Sequence, residues 1–436
     1  MYRKIIEKLQ SWRDREGRKP MILLGARQVG KTWLMKEFGN TCFESVAYLN
    51  CDNEPLVKGL FAADYDIKRI LLAIQAITGV KVIAGKTLIV LDEIQEIPRG
   101  LHSLKYFCED APEYHVIAAG SLLGVTLGNK ESFPVGKVNM LRVSPMDFEE
   151  FLYATGDNGL AETLHTGDWD MLKVLDTKYK ERLRQYYYVG GMPEVVQQFV
   201  QNQDLKEVRS IQHDIVEAYR RDISKHATKN EAVKISQVMN SIVSQLAKEN
   251  KKFIYGVIKQ GARAAQYELA IQWLVDAGIV YRVPRVSTIK MPLKAYEDVG
   301  AFKLFLLDCG LLGMMADAPS SQVLTNDNIF TEYKGAFTEQ FVMQQMAAQD
   351  ILPYYWSKDN SPAEIDFVVQ ANDRVIPVEV KAEGNVRSRS MSEYIKDHPD
   401  DHLKGLRISM LGYVDQDWME NIPLYGISKF CSSIID

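Results

Sequence analysis

The sequence predicts an α/β protein that opens on a parallel sheet carrying a phosphate-binding loop, and three observations predict it. An apolar run at 21–24 leads into Gly25-Ala26-Arg27-Gln28-Val29-Gly30-Lys31-Thr32, a full match to G-x-x-x-x-G-K-[ST]. A second apolar run, 88–91, ends in Asp92-Glu93, and a third, 115–119, ends in Gly120-Ser121. Helical patterns alternate with these runs, which calls for parallel strands covered on both faces, with ligands at their carboxyl ends.

In order, residues 2–16 carry Ile5, Leu9 and Trp12 on one stripe of an amphipathic helix, broken by 17–20. The loop glycines let the backbone wrap phosphates, with successive amides pointing inward, so 25–32 are the nucleotide-binding residues. Lys31 is expected to neutralise the β- and γ-phosphates and Thr32 to ligate Mg²⁺. Trp33, Leu34, Met35 and Phe38 suit a helix ending at Gly39. A strand at 46–50 and a helix at 67–77 follow. Asp92 is expected to hold Mg²⁺ through water, and Glu93 to orient and deprotonate the attacking water. The plainer reading is an acidic strand end that caps the next helix. Ser121 is suited either to sensing the γ-phosphate or to capping a helix. A last strand is expected at 138–143, then a helix with Ser144 as cap and Pro145 at its first position. Arg99 and Arg142 are candidates for an arginine that meets a phosphate, in cis or from a neighbouring subunit; ordinary surface arginines also fit.

Residues 171–226 read as helical and rich in tyrosine, interrupted by Gly190-Gly191-Met192-Pro193. Arg220, Arg221, Lys225 and Lys229 form a basic cluster, either a solvated face or a phosphate contact. Residues 233–310 read as a winged helix. Ile235, Val238, Ile242 and Leu246 mark one helix. Tyr267, Ile271, Leu274 and Val275 mark another, ended by Gly278. Segments 279–283 and 302–307 then pair, with 284–301 as the wing. Such modules bind DNA or proteins, and the basic residues here are few (Lys251, Lys252, Lys259, Arg263).

The last constellation begins with a helix at 332–348 that contains Glu339. A hairpin turning at Asn372-Asp373 would oppose Asp366 to Glu379 and Glu364 to Lys381, all on one face. Ile365, Phe367, Val378 and Val380 take the other. Opposed Cβ atoms lie about 4.5–5.5 Å apart, so Asp366 and Glu379 could share Mg²⁺ or Mn²⁺. Lys381 would then help activate water or stabilise a phosphate. A three-residue loop would shift the register by one and separate these groups. The plainer reading is an amphipathic hairpin with a Glu364–Lys381 surface pair.

The 436 residues predict two to four domains of ordinary globular composition. A net charge of −5 argues against a generally basic nucleic-acid coat and leaves room for a local basic patch. The cysteines Cys42, Cys51, Cys108, Cys309 and Cys431 are scattered, with no C-x-x-C pair. Neither a disulfide framework nor a zinc site is expected, which fits a cytoplasmic location. The first residues lack the apolar core of a signal peptide, and no 18-residue apolar stretch predicts a membrane span.

Asp366 with Glu379-Val380-Lys381 resembles the PD-(D/E)xK nuclease signature, with Ile365-Asp366 where Pro-Asp usually leads. Glu339 matches the helical glutamate that some such nucleases use as a further metal ligand. The whole chain resembles bacterial and archaeal AAA-type ATPases that carry a DUF4143 C-terminal region. The stretches that carry the likeness include 25–32, 91–95, 119–121, 141–151, 189–194, 220–223, 276–278, 307–311 and 363–381. The resemblance implies an AAA-type P-loop ATPase domain over 1–170, a helical and winged-helix region over 171–320, and a restriction-endonuclease-like α/β domain over 321–436.

Three functions fit. The first is an ATPase, turning ATP and water into ADP and phosphate, coupled to a DNA-acting nuclease domain. The second is an ATP-dependent switch whose later domains only bind DNA or a protein partner. The third is a winged-helix regulator in which ATP only stabilises the fold. An AAA-like core also suggests a homo-oligomer.

Overall fold

A computed structural model describes residues 1–436 apart from 53–54, 62–63, 98, 122–132, 249–250, 325–330, 360, 383–387 and 436. At 55, 121, 322, 331–333 and 435 it describes the backbone alone. The chain divides into two compact units, one comprising Arg3–Ser144 with Asp276–Gly278, the other Pro145–Val275 and Ile279–Asp436 with Met1–Tyr2.

The first unit opens with α1 (Ile5–Asp14), whose Ile5, Leu9 and Trp12 stripe is buried as expected. The Trp12 indole donates to the Lys19 carbonyl at 2.8 Å and anchors the turn into β1 (Met21–Gly25). After α2 (Lys31–Cys42) come β2 (Ser45–Asn50), β3 (Thr87–Asp92), β4 (His115–Ser121) and β5 (Asn139–Arg142). The sheet order is β2-β3-β4-β1-β5, and every pairing is parallel. β3 is buried along its whole length, as an apolar run packed on both faces should be. Each such Val, Leu or Ile contributes about 1.5–3 kcal/mol of burial.

Two expected boundaries differ. Gly39 does not end α2; it lies inside, where a Cβ would stand 2.5 Å from a Val46 methyl. Its smallness lets the helix approach β2. The helix after β5 starts not at Ser144-Pro145 but as α3 (Phe148–Ala154), in the second unit. Asp147 caps it through a reciprocal box: its side chain accepts from the Glu150 amide, and the Glu150 side chain accepts from the Asp147 amide.

The second unit combines helices with an eight-stranded sheet, ordered β12-β13-β11-β10-β9-β8-β6-β7. Its strands are β6 (Val280–Val286), β7 (Glu297–Leu306), β8 (Tyr354–Ser357), β9 (Glu364–Ala371), β10 (Arg374–Lys381), β11 (Gly405–Ser409), β12 (Val414–Gln416) and β13 (Met419–Pro423). The β6–β7 hairpin pairs from Val280↔Leu306 to Val286↔Glu297, so the connection is shorter than the 284–301 expected. β6 also pairs in parallel with β8, which makes the hairpin one edge of the large sheet. The β9–β10 register is the one the two-residue turn requires, from Arg374↔Ala371 to Val378↔Phe367. Asn372 supplies the left-handed turn residue, at φ 37°.

The Gly190-Gly191 interruption and the Asp308-Cys309-Gly310 stretch form one buried knot. Asp308 accepts from the Gly191 amide at 2.6 Å, the Leu311 amide at 3.0 Å and Gln344 Nε2 at 2.9 Å. Gly190 sits at φ +76°, with room for no Cβ beside the Asp308 carboxylate. These motifs are therefore structural.

Candidate functional site

The phosphate-binding loop lies at the end of β1, with Gly25 in register with Ser121 of the neighbouring β4. Asp92 ends β3, on the far side of β4. Gln28 (φ 65°) and Gly30 (φ 92°) are left-handed, and α2 starts at Lys31 with no side-chain cap. Its first amides are therefore available to an anion. Ala26 and Val29 are buried, while Arg27 and Gln28 face outward to different degrees.

The buried Lys31 ammonium donates to the Gly25 carbonyl at 2.9 Å and the Ala26 carbonyl at 2.8 Å. Burial pulls its pKa down to about 8, against the opposing pull of Glu93 and Asp92. The Thr32 hydroxyl donates to Asp92 Oδ2 at 2.7 Å. Glu93, at φ 54°, has its Oε2 held by Gln95 Nε2 at 2.6 Å. Thr32, Asp92, Lys31 and Glu93 thus lie together. The side chain of Ser121, on which its sensor and cap readings rest, lies outside the described residues.

Three partners escaped the sequence. The Tyr48 hydroxyl donates to the same Asp92 oxygen at 2.8 Å. Arg3, buried before α1, donates to the Val29 carbonyl at 3.3 Å and the Ser144 carbonyl at 2.7 Å, bracing the loop from behind. Gln95 is the third. Of these, Tyr48 left a signal, since it precedes the end of a strand beside β3, and Gln95 closes the 91–95 stretch, whereas Arg3 left none. Arg142 is exposed, while Arg99 donates to the Tyr65 hydroxyl at 2.9 Å and lies over that ring. In the basic cluster, Arg220 is taken up by Glu217 and Asn240.

In the second unit, Asp366, Glu379, Lys381 and Glu339 also gather, but with lysines between them. Glu339, on the helix Thr331–Ala348, pairs with Lys251 and lies 3.7 Å from Lys303. Lys303 pairs with Glu364, and Lys381 Nζ stands 2.6 Å from Glu379 Oε1. Asp366 Oδ2 accepts from the Val380 amide at 2.7 Å. Burial and the neighbouring Glu339 push the Asp366 carboxyl up to about 7. Burial also pushes Glu339 upward, but Lys251 and Lys303 outweigh it and the net shift is down. Glu364 thus pairs with Lys303 and not with Lys381, as the plainer hairpin reading supposed. Among the described residues no group of three or more His, Cys, Asp or Glu is arranged to hold a metal ion. Of the expected C-terminal ligands, Glu339 is paired with Lys251, Glu379 with Lys381, and Asp366 accepts from the Val380 amide. Lys251 and Lys303 were missed because the residues they meet lie far along the chain.

Residues 17–152 match the family model of an AAA domain, and 334–429 that of DUF4143, a domain of unknown function. Residues 180–322 match DUF8612, another domain of unknown function. The chain thus carries an AAA domain and a DUF4143 domain, and no curated protein matches it. Among solved structures it is similar to the Walker-type ATPase PABY2304 of Pyrococcus abyssi, at 13% identity over 71% of this chain and 94% of that one, TM-score 0.44. It is also similar to the Aeropyrum pernix Orc1 protein, solved in complex with DNA, at 11% identity over 74% and 92%, TM-score 0.26. The Pyrobaculum aerophilum Cdc6p matches at 12% identity over 74% and 93%, TM-score 0.26. No helix among the described residues is long and apolar enough to cross a membrane.

Proposed function

We propose that the chain is a Mg²⁺-dependent ATPase of the AAA type, converting ATP and water to ADP and phosphate. The observation that carries this reading is the 2.7 Å pairing of Thr32 and Asp92, beside Lys31 and Glu93. A hydroxyl and a carboxylate oxygen this close are hard donors that fit Mg²⁺. When bound, the ion neutralises charge on the β- and γ-phosphate oxygens. Lys31 turns its ammonium from the Gly25 and Ala26 carbonyls to the phosphates. Gln95 fixes one oxygen of Glu93, and the other takes the proton of the attacking water. The test is nucleotide binding and phosphate release in Lys31→Ala. Both should be lost; release at the parent rate would remove the reading, whereas no measurable turnover by the parent, with function undiminished in Lys31→Ala, would favour the regulator in which ATP only stabilises the fold.

The second unit favours the switch over the nuclease, because Lys251 and Lys303, which the nuclease signature does not call for, already accompany Glu339 and Glu364. In this reading nucleotide state changes what that unit binds, DNA or a protein, without cutting. Plasmid DNA should stay closed under Mn²⁺, with and without ATP. Metal-dependent nicking that Glu379→Ala loses would establish the nuclease instead.

A further inference from the structure

We propose that Lys303 is a tethered cation that takes the place of a divalent metal in the buried acidic centre of the second unit. The proposal deepens the non-cutting reading above and rests on it. Lys303 lies on β7 and is 0% exposed. Its Nζ pairs with Glu364, stands 3.7 Å from Glu339 Oε2, and lies 3.4 Å from the Asp366 carbonyl. The Tyr355 ring centroid is 4.9 Å away and that of Phe367 5.9 Å, so aromatic faces close the remaining sides.

A fully buried ammonium is costly to desolvate and persists only among opposite charges. The converse holds for the carboxylates. Glu339 and Glu364 flank the one lysine and Glu339 acts on Asp366, so without cations these carboxylates would repel one another. Lys251, Lys303 and Lys381 supply that charge. Mg²⁺ requires near-ideal octahedral oxygen ligands, and ammonium groups between the oxygens both repel it and take its donors. Glu339 Oε2, 3.7 Å from the Lys303 ammonium, is buried without a hydrogen-bond partner and is open to a cation if Lys303 is withdrawn.

The experiment uses the full chain without nucleotide, in an Asp92→Asn background that silences the loop's own Mg²⁺ site. Mn²⁺ binding is followed by the electron paramagnetic resonance of free Mn²⁺ and by thermal unfolding. With Lys303 present, no saturable Mn²⁺ binding is expected. Lys303→Met should be less stable, bind Mn²⁺, and gain about 5 °C in Tm at saturation. Adding Glu339→Gln should abolish that gain. Saturable Mn²⁺ binding with Lys303 present, lost in Glu339→Gln, would overturn the proposal, as would a folded Lys303→Met that ignores Mn²⁺. Should Lys303→Met not fold, the titration of the Lys303 protein decides by itself. Plasmid nicking separates the two claims. Metal-dependent cutting would sink the non-cutting reading, whereas Mn²⁺ bound without cutting by the protein that keeps Lys303 would sink only the tethered cation.

Discussion

Asp92 takes two hydroxyl donors on one oxygen, Thr32 at 2.7 Å and Tyr48 at 2.8 Å. If Thr32 turns to Mg²⁺ in the nucleotide-bound state, Tyr48 is left to hold the carboxylate. A hydrogen bond to a charged group is worth about 1.5–3 kcal/mol. Tyr48→Phe should therefore leave ATP binding intact and raise the Mg²⁺ needed for half-maximal hydrolysis about tenfold. Phosphate release titrated against Mg²⁺ reads this directly; an unchanged Mg²⁺ requirement would remove Tyr48 from the site. Lys31, Thr32, Asp92 and Glu93 were legible because the loop's chemistry fixes residue types at short spacing. Lys251 and Lys303 were not, because their partners Glu339 and Asp366 lie 88 and 63 positions away. A lone lysine in sequence looks like solvated charge until the fold buries it.

Close approach decides what the glycine motifs do at the scale of elements. A Cβ on Gly191 would lie 2.0 Å from the Met146 carbonyl oxygen and 2.9 Å from its nitrogen, both backbone atoms that cannot swing away. Gly191→Ala should cost about 3 kcal/mol in denaturant unfolding of the second unit. Gly159, in the helix Asn158–Thr166, has nothing within 4 Å of its Cβ position. Gly159→Ala should stabilise by about 0.5–1 kcal/mol. Opposite signs from the same substitution test the packing account, and equal effects would contradict it. The β9–β10 register was legible because a two-residue turn allows one pairing and alternation then sorts the faces. The start of α3 was misread because Ser144-Pro145 mimics a helix opening. The Asp147–Glu150 box, which satisfies two amides at once, prevails.

At the scale of the molecule, the parallel sheet of the first unit followed from alternation of strand and helix. The large sheet of the second did not. β6 and β8 lie far apart in sequence yet pair in parallel, Arg285 with Tyr355, and periodicity does not say which strands are neighbours. Acid should affect the first unit through His115 at the start of β4. Burial, with the Arg18 guanidinium 3.2 Å from its Nδ1, pulls the imidazole down to about 4 from an ordinary 6.5. The folded ring stays neutral while the unfolded one takes a proton, so stability holds above pH 6.5 and falls as pH drops toward 4. His115→Gln should flatten that fall in unfolding curves taken across the window. The ATPase reading proposed above rests on Glu93 as the base for the attacking water, a role a mere nucleotide holder does not need. It is tested most directly by phosphate release from Mg²⁺-ATP with the parent and Glu93→Gln side by side. Both should bind ATP, and the variant should hydrolyse it about 10²-fold more slowly or worse. Equal rates would contradict the ATPase reading.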